Sequence, residues 1–346
     1  VDAPIGKYSP SNSAMYATDC AAGTYQASTG QSACTDASAG YYVDSTAQTA
    51  QTACLAGTYN ANTGSTTSSD CLDADAGNYV GSTGQSSQTA CAAGTFQAST
   101  GQSFCTDASA GYYVDSTAQT AQTACAAGTY NANTGSTTSS DCLDADAGNY
   151  VGSTGQSSQT ACAAGTYQAS TGQSSCDDAD AGSYVDQTGQ STQTACAAGT
   201  YQDTAGQISC DNADAGSYVD QTGQSTQTAC AAGTYQDTAG QISCDNADAG
   251  SYVSTTGQTS QTACAVGTYQ ATVGQSSCDD ADAGSYVSTT GQTSQTACAV
   301  GTYQDTAGQI SCDNADAGSY VDQTGQSTQT ACAAGTYQDT AGQISC

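Results

Sequence analysis

The apolar positions of this chain follow no 3.6-residue helical beat. Instead, a short apolar and aromatic segment, GTYQ or GSYV, returns after each of a long series of glycines. A turn rich in Gly, Asp and Thr follows it, and then a polar alternating stretch such as QSTQTAC. This pattern predicts two short strands per unit joined by tight turns. Good helix formers are nearly missing, so almost no helix is expected.

The units repeat. Leading glycines fall at Gly6, Gly23, Gly40, Gly57, Gly77, Gly94, Gly111, Gly128, Gly148 and onward to Gly335, which makes twenty half-repeats, each with one of the 20 Cys. An aromatic two residues later keeps the same beat, from Tyr8 and Tyr25 to Tyr320 and Tyr337, with Phe96 substituting once. Cysteine intervals alternate 14 and 20, with 17 replacing 14 twice, so the visible repeat is 34 residues long. Aligning the half starting at Gly199 with the half starting at Gly216 shows Cys210 where the second half has Gln227, and Ala213 where it has Cys230. An ancestral CxxC that lost one Cys alternately from each copy accounts for this. The expected organisation is an N-terminal half-repeat over 1–19, two near-identical 71-residue blocks at 20–90 and 91–161, and regular 34-residue repeats over 162–346. Cys346 falls inside a repeat whose continuation would read DNADAG, so a longer parent chain is expected. Val1 opens on no signal-peptide pattern, which reads as a mature or trimmed chain.

Composition changes the picture by removing the ordinary source of stability. The chain has three Leu, five Ile, one Met, two Phe and no Trp, too few large side chains for a conventional core. Twenty Cys are the available substitute. No CxxC pair and no His occur, which argues against a zinc array and for disulfides, and so for an oxidising, extracellular or cell-surface setting. Pairing of neighbours 14 or 17 apart closes all ten bridges: Cys20–Cys34, Cys54–Cys71, Cys91–Cys105, Cys125–Cys142, Cys162–Cys176, Cys196–Cys210, Cys230–Cys244, Cys264–Cys278, Cys298–Cys312 and Cys332–Cys346. Pairing at 20 would orphan Cys20 and Cys346, so the first scheme is expected. Each loop of that size is worth about 3 kcal/mol by the chain-entropy argument. With contacts confined to neighbours, the expected architecture is an all-β, disulfide-rich, elongated tandem-repeat rod of short hairpin modules.

Charge excludes whole classes of partner. All 31 acids are Asp, Lys7 is the one basic residue, and the net charge is −30. Nucleic acid and anionic membranes both require Lys and Arg, and no stretch has the apolar length of a membrane helix. No Asn-X-Ser/Thr sequon exists, whereas Ser and Thr are abundant enough for O-linked glycans.

The C-x-x-G-T-Y segment followed by a Cys 14 residues on, as from Cys196 to Cys210, resembles the ephrin-receptor-like cysteine-rich repeats. More distantly it is similar to the first module of tumour-necrosis-factor-receptor repeats. The resemblance covers essentially the whole chain and implies small disulfide-bonded hairpin modules stacked lengthwise in extracellular proteins. Each copy lacks one Cys of the family's pattern, so only the first-to-second pairing carries over, and no catalytic or ligand residue comes with it.

Candidate sites are few. The Tyr ladder reads as packing over each module's disulfide, while Tyr41 and Tyr112, each preceding a second Tyr, should face the opposite way and be the exposed aromatics. The CDNADAG segments, with Asp211 and Asp214, Asp245 and Asp248, and Asp313 and Asp316, resemble oxygen-rich calcium loops but lack EF-hand spacing. Calcium is the one cofactor the sequence raises, against the ordinary role of Asp beside Gly in capping turns. Alternating Thr in STQT and TSQT suits a solvated strand first, a glycan acceptor second, and an ice- or mineral-binding row last. Catalysis has no His, no Glu and one Lys to work with, so no enzyme is expected. The composite expectation is a structural, self-associating segment of a fibre, filament or stalk, with a spacer in an adhesin or receptor ectodomain as its rival.

Overall fold

The computed structural model describes residues 1–11 and 15–346; Asn12, Ser13 and Ala14, within the expected N-terminal half-repeat, lie outside the described residues. Among the described residues, nineteen two-stranded antiparallel sheets, each a hairpin of two-residue strands, follow one another along the chain. No α-helix occurs among the described residues, and two single 3-10 turns, Ser68–Asp70 and Ser139–Asp141, take up the three-residue insertions. There the Asp70 carboxylate accepts the Thr66 and Thr67 N–H groups at 2.9 and 3.0 Å, which closes the enlarged loop.

The first strand of each hairpin falls on the Gly-led segment as read from the sequence, but the second is only the two residues after the Cys or Gln position, Asp211–Asn212 or Thr228–Ala229, rather than the whole polar stretch. In the unit led by Gly199, Thr200 pairs with Asn212 and Tyr201 with Asp211. In the next, Ser217 pairs with Ala229 and Tyr218 with Thr228. Such short pairs are not stable alone. They are held by the neighbouring unit through three recurring backbone bonds. Gly199 N–H donates to the Val219 carbonyl at 2.8 Å, Gln202 N–H to Gln224 at 3.2 Å, and Gly223 N–H donates back to Cys196 at 2.8 Å. The same trio links Gly23 to Val43, Gln26 to Gln48 and Ala47 to Cys20.

The interior holds two buried side-chain positions per inner half-repeat. Ala or Cys three residues before the leading Gly is sealed from Ala3 to Ala315, as with Cys196 and Ala213 at 0 % exposure, and Cys332 before the last Gly is half-buried. The residue three after the Gly alternates between Val, as at Val185 and Val219, and a buried amide, as at Gln202 and Gln236. That amide is fully used: Gln202 Nε2 donates to the Ser209 carbonyl at 3.0 Å and its Oε1 accepts the Thr204 N–H at 3.1 Å. No buried side-chain polar atom among the described residues lacks a partner, as a core this thin requires.

Leading glycines are needed where units meet. Gly199 has φ +86°, and a Cβ there would lie 2.4 Å from the Gly240 carbonyl oxygen two units on. Only a side chain of hydrogen fits both the torsion and the approach.

The chain forms two compact units: Val1–Cys162 with Gln168–Cys176 and Gly189–Ser191, and Ala163–Tyr167 with Asp177–Thr188 and Thr192–Cys346. The same module-on-module arrangement builds each.

Candidate functional site

Ten disulfides join Cys20–Cys34 through Cys332–Cys346, every pair 14 or 17 residues apart, with Cα–Cα distances of 5.6–5.8 Å. No cysteine is free. Each bridge clips the start of one half-repeat to its far strand. The intervening half-repeats carry a different clip at the same place. In the unit led by Gly77, Gln88 Oε1 accepts the Asp75 N–H and Gln88 Nε2 donates to Asp75 Oδ2, both at 2.7 Å. Gln159 holds Asp146 in the same way, as Gln227 holds Asp214. Covalent and hydrogen-bonded clips therefore alternate along the chain.

This alternation creates two kinds of surface. Where a Gln-clipped hairpin meets the disulfide-clipped unit that follows, a groove of about 560 Å³ opens. Tyr184, Asp186, Thr194 and Ala195 line it from the first hairpin, and Ala197, Thr200, Ile208, Ser209 and Cys210 from the second. Equivalent positions line the groove at Tyr8, which includes Ala21, Thr24 and Cys34, and the one at Tyr42, which includes Leu55, Thr58 and Cys71. At Tyr8 the place of Asp186 is taken by Pro10, and Asp19, which stands where Ala195 does, is paired with Lys7 at 2.7 Å.

Where a disulfide-clipped unit meets a Gln-clipped one, the surface is acidic instead. Tyr201 lies there, and its phenol is held above its ordinary pKa, first by burial and then by the carboxylates of Asp214, Asp203 and Asp211. Tyr235 and Tyr303 sit in the same surroundings.

The expected calcium loops take a different form. Asp214, Asp248 and Asp316 already accept hydrogen bonds from Gln227, Gln261 and Gln329. Asp211, Asp245 and Asp313 lie in strands opposite Tyr201, Tyr235 and Tyr303. Among the described residues no group of three or more His, Cys, Asp or Glu is placed to hold a metal ion. The reading of Tyr41 and Tyr112 as exposed is corrected. Both are half-buried, because their phenols lie across Gly84 and Gly155, where an added Cβ would come within 2.7 and 2.8 Å. Strand alternation sends neighbours to opposite faces, but here a unit further along the chain covers the second face too. The exposed aromatics are Tyr16, Phe104 and Tyr337.

Sequence reasoning missed the Gln clip. Its signal was the Cys210/Gln227 alternation, which reads as a lost cysteine until the structure shows an amide bridging the same gap. Among the described residues no helix is long and apolar enough to cross a membrane. No family model matches the chain, and no curated protein matches it.

Proposed function

We propose that this chain is a structural segment of an extracellular or cell-surface fibre, filament or stalk, and that it carries no catalytic centre. The observation that carries this reading is the repeated joint: unit after unit is held to the next by the same three backbone bonds and clipped by either a disulfide or a Gln. A fold that spends every unit on the same joint gains length from copy number, and none of its units is distinguished as an active centre. Ten closed disulfides support an oxidising setting, as does the resemblance to ephrin-receptor-like repeats. Exposed turn hydroxyls such as Thr222 and Thr226 are suitable acceptors for O-linked glycans.

Electron microscopy of unreduced protein, with and without a calcium chelator, tests the reading. Fibres with a regular axial period support it, and their loss in chelator adds calcium as the agent that screens the Asp-rich surface. Isolated single molecules at high concentration would overturn the fibre reading in favour of a spacer within an adhesin or receptor.

A further inference from the structure

The groove at Tyr184 combines three features that fit one kind of ligand. The Tyr184 ring and Ile208, which is 56 % exposed, supply apolar lining, and exposed Asp186 adds a carboxylate to the same lining. A side chain with an aliphatic stem and a cationic head matches those surfaces, stem on the apolar lining and head at the acid and ring. The same residues recur at equivalent sequence positions in Tyr218, Asp220 and Ile242, and in Tyr320, Asp322 and Ile344, with the Tyr-bearing hairpins paired in the same register; the half-repeat that carries Ile344 forms no paired strands. Ile242 and Ile344 are likewise 55 % and 53 % exposed.

We propose that these grooves bind the side chains of a lysine- and arginine-rich polypeptide, engaged at several grooves at once. Charge complementarity selects this occupant. With 31 Asp against one Lys, a second copy of the chain brings almost no cation to a groove, and an acidic partner brings none. The single Lys is itself paired, with Asp19, so no lysine of the chain is left to fill a groove. Repetition multiplies a weak single-groove affinity through effective concentration. The inference rests on the structural reading and names the chemistry of the partner such a segment would hold.

The test uses the full, disulfide-intact chain and a fluorescent lysine decamer, followed by anisotropy near physiological ionic strength. Two triple variants probe the grooves: Ile208→Ser with Ile242→Ser and Ile344→Ser, which leaves charge unchanged, and Asp186→Asn with Asp220→Asn and Asp322→Asn. A control, Asp203→Asn with Asp237→Asn and Asp305→Asn, removes the same charge away from these grooves. All nine side chains reach the surface, and unchanged amide exchange confirms that each variant is folded. Both groove variants should weaken binding by about tenfold, and the control by less than about twofold. Equal effects of the two Asp variants, or no effect of the Ile variant, would show condensation of a cation on a polyanion and overturn the proposal. Tighter, groove-dependent binding of a chitosan oligomer would overturn it in favour of a cationic glycan. Fibre formation seen by microscopy is independent of all these outcomes, so the two readings fail separately.

Discussion

The joint between units should be most sensitive at the leading glycines, and the chain contains its own control. Gly199 and Gly206 both have positive φ, +86° and +76°. Placing Ala in that region costs about 1–2 kcal/mol, partly offset by about 0.4–1 kcal/mol from restricting the unfolded chain. At Gly206 little else opposes the change, since the nearest atom to an added Cβ is Asp178 Oδ1 at 3.5 Å. The equivalent position is already Ala at Ala47 and Ala118, with φ of 61° and 59°. Gly206→Ala should therefore cost about 1 kcal/mol or less. At Gly199 the Cβ would meet the Gly240 carbonyl oxygen at 2.4 Å, a backbone atom that cannot swing aside. The overlap adds about 1–3 kcal/mol of overpacking and pushes apart the Gly199–Val219 bond of 2.8 Å. Gly199→Ala should then cost about 2–4 kcal/mol, read as roughly 30-fold or faster amide exchange at Gly199, Gln202 and Gly223. Equal exchange in the two variants would refute the claim that close backbone approach, rather than torsion alone, fixes the leading Gly.

The two clips should differ in strength. Replacing Cys196 and Cys210 together by Ser should lower the local opening energy by about 3 kcal/mol, whereas Gln227→Ala should lower it by about 1–2 kcal/mol, both measured by hydrogen exchange within the affected unit. Asp214→Ser should cost only about 1 kcal/mol, because Ser38 already serves in that place, where its N–H donates to Gln51 Oε1 at 2.7 Å without a carboxylate. Alkaline titration followed by tyrosinate absorbance should show Tyr201, Tyr235 and Tyr303 ionising above the ordinary phenol value of 10.0, and Asp214→Asn should bring Tyr201 forward. Their folded pKa is raised, so any stability linked to them is present below the ordinary phenol value of 10.0 and is lost as pH rises through the folded value. A midpoint of unfolding that rises above pH 10 would contradict that sign.

Much of the architecture was legible because it is local and repeated. Glycine and tyrosine spacing was enough to locate the hairpins, since a two-residue strand needs only a turn and a register. Parity of twenty cysteines was enough to choose neighbours 14 or 17 apart, because the alternative strands two of them. What lay beyond reach depends on which unit lies against which. Tyr41 reads as exposed from strand alternation alone; it is half-buried because Gly84 of a later unit lies beneath its ring. Gln227 reads as a vacated cysteine site; it is a clip because the fold places the Asp214 N–H and carboxylate within its reach. Ile208, one of only five Ile, lines an open groove, since Ala, Cys, Val and a satisfied amide fill the sealed positions. By itself the sequence determined the unit, its two strands and its covalent partners, all set by torsion preference and chain distance. Only the tertiary structure decided which surfaces are covered and which side chains meet, because those depend on how each unit closes on itself and on how the units one and two further along lie against it.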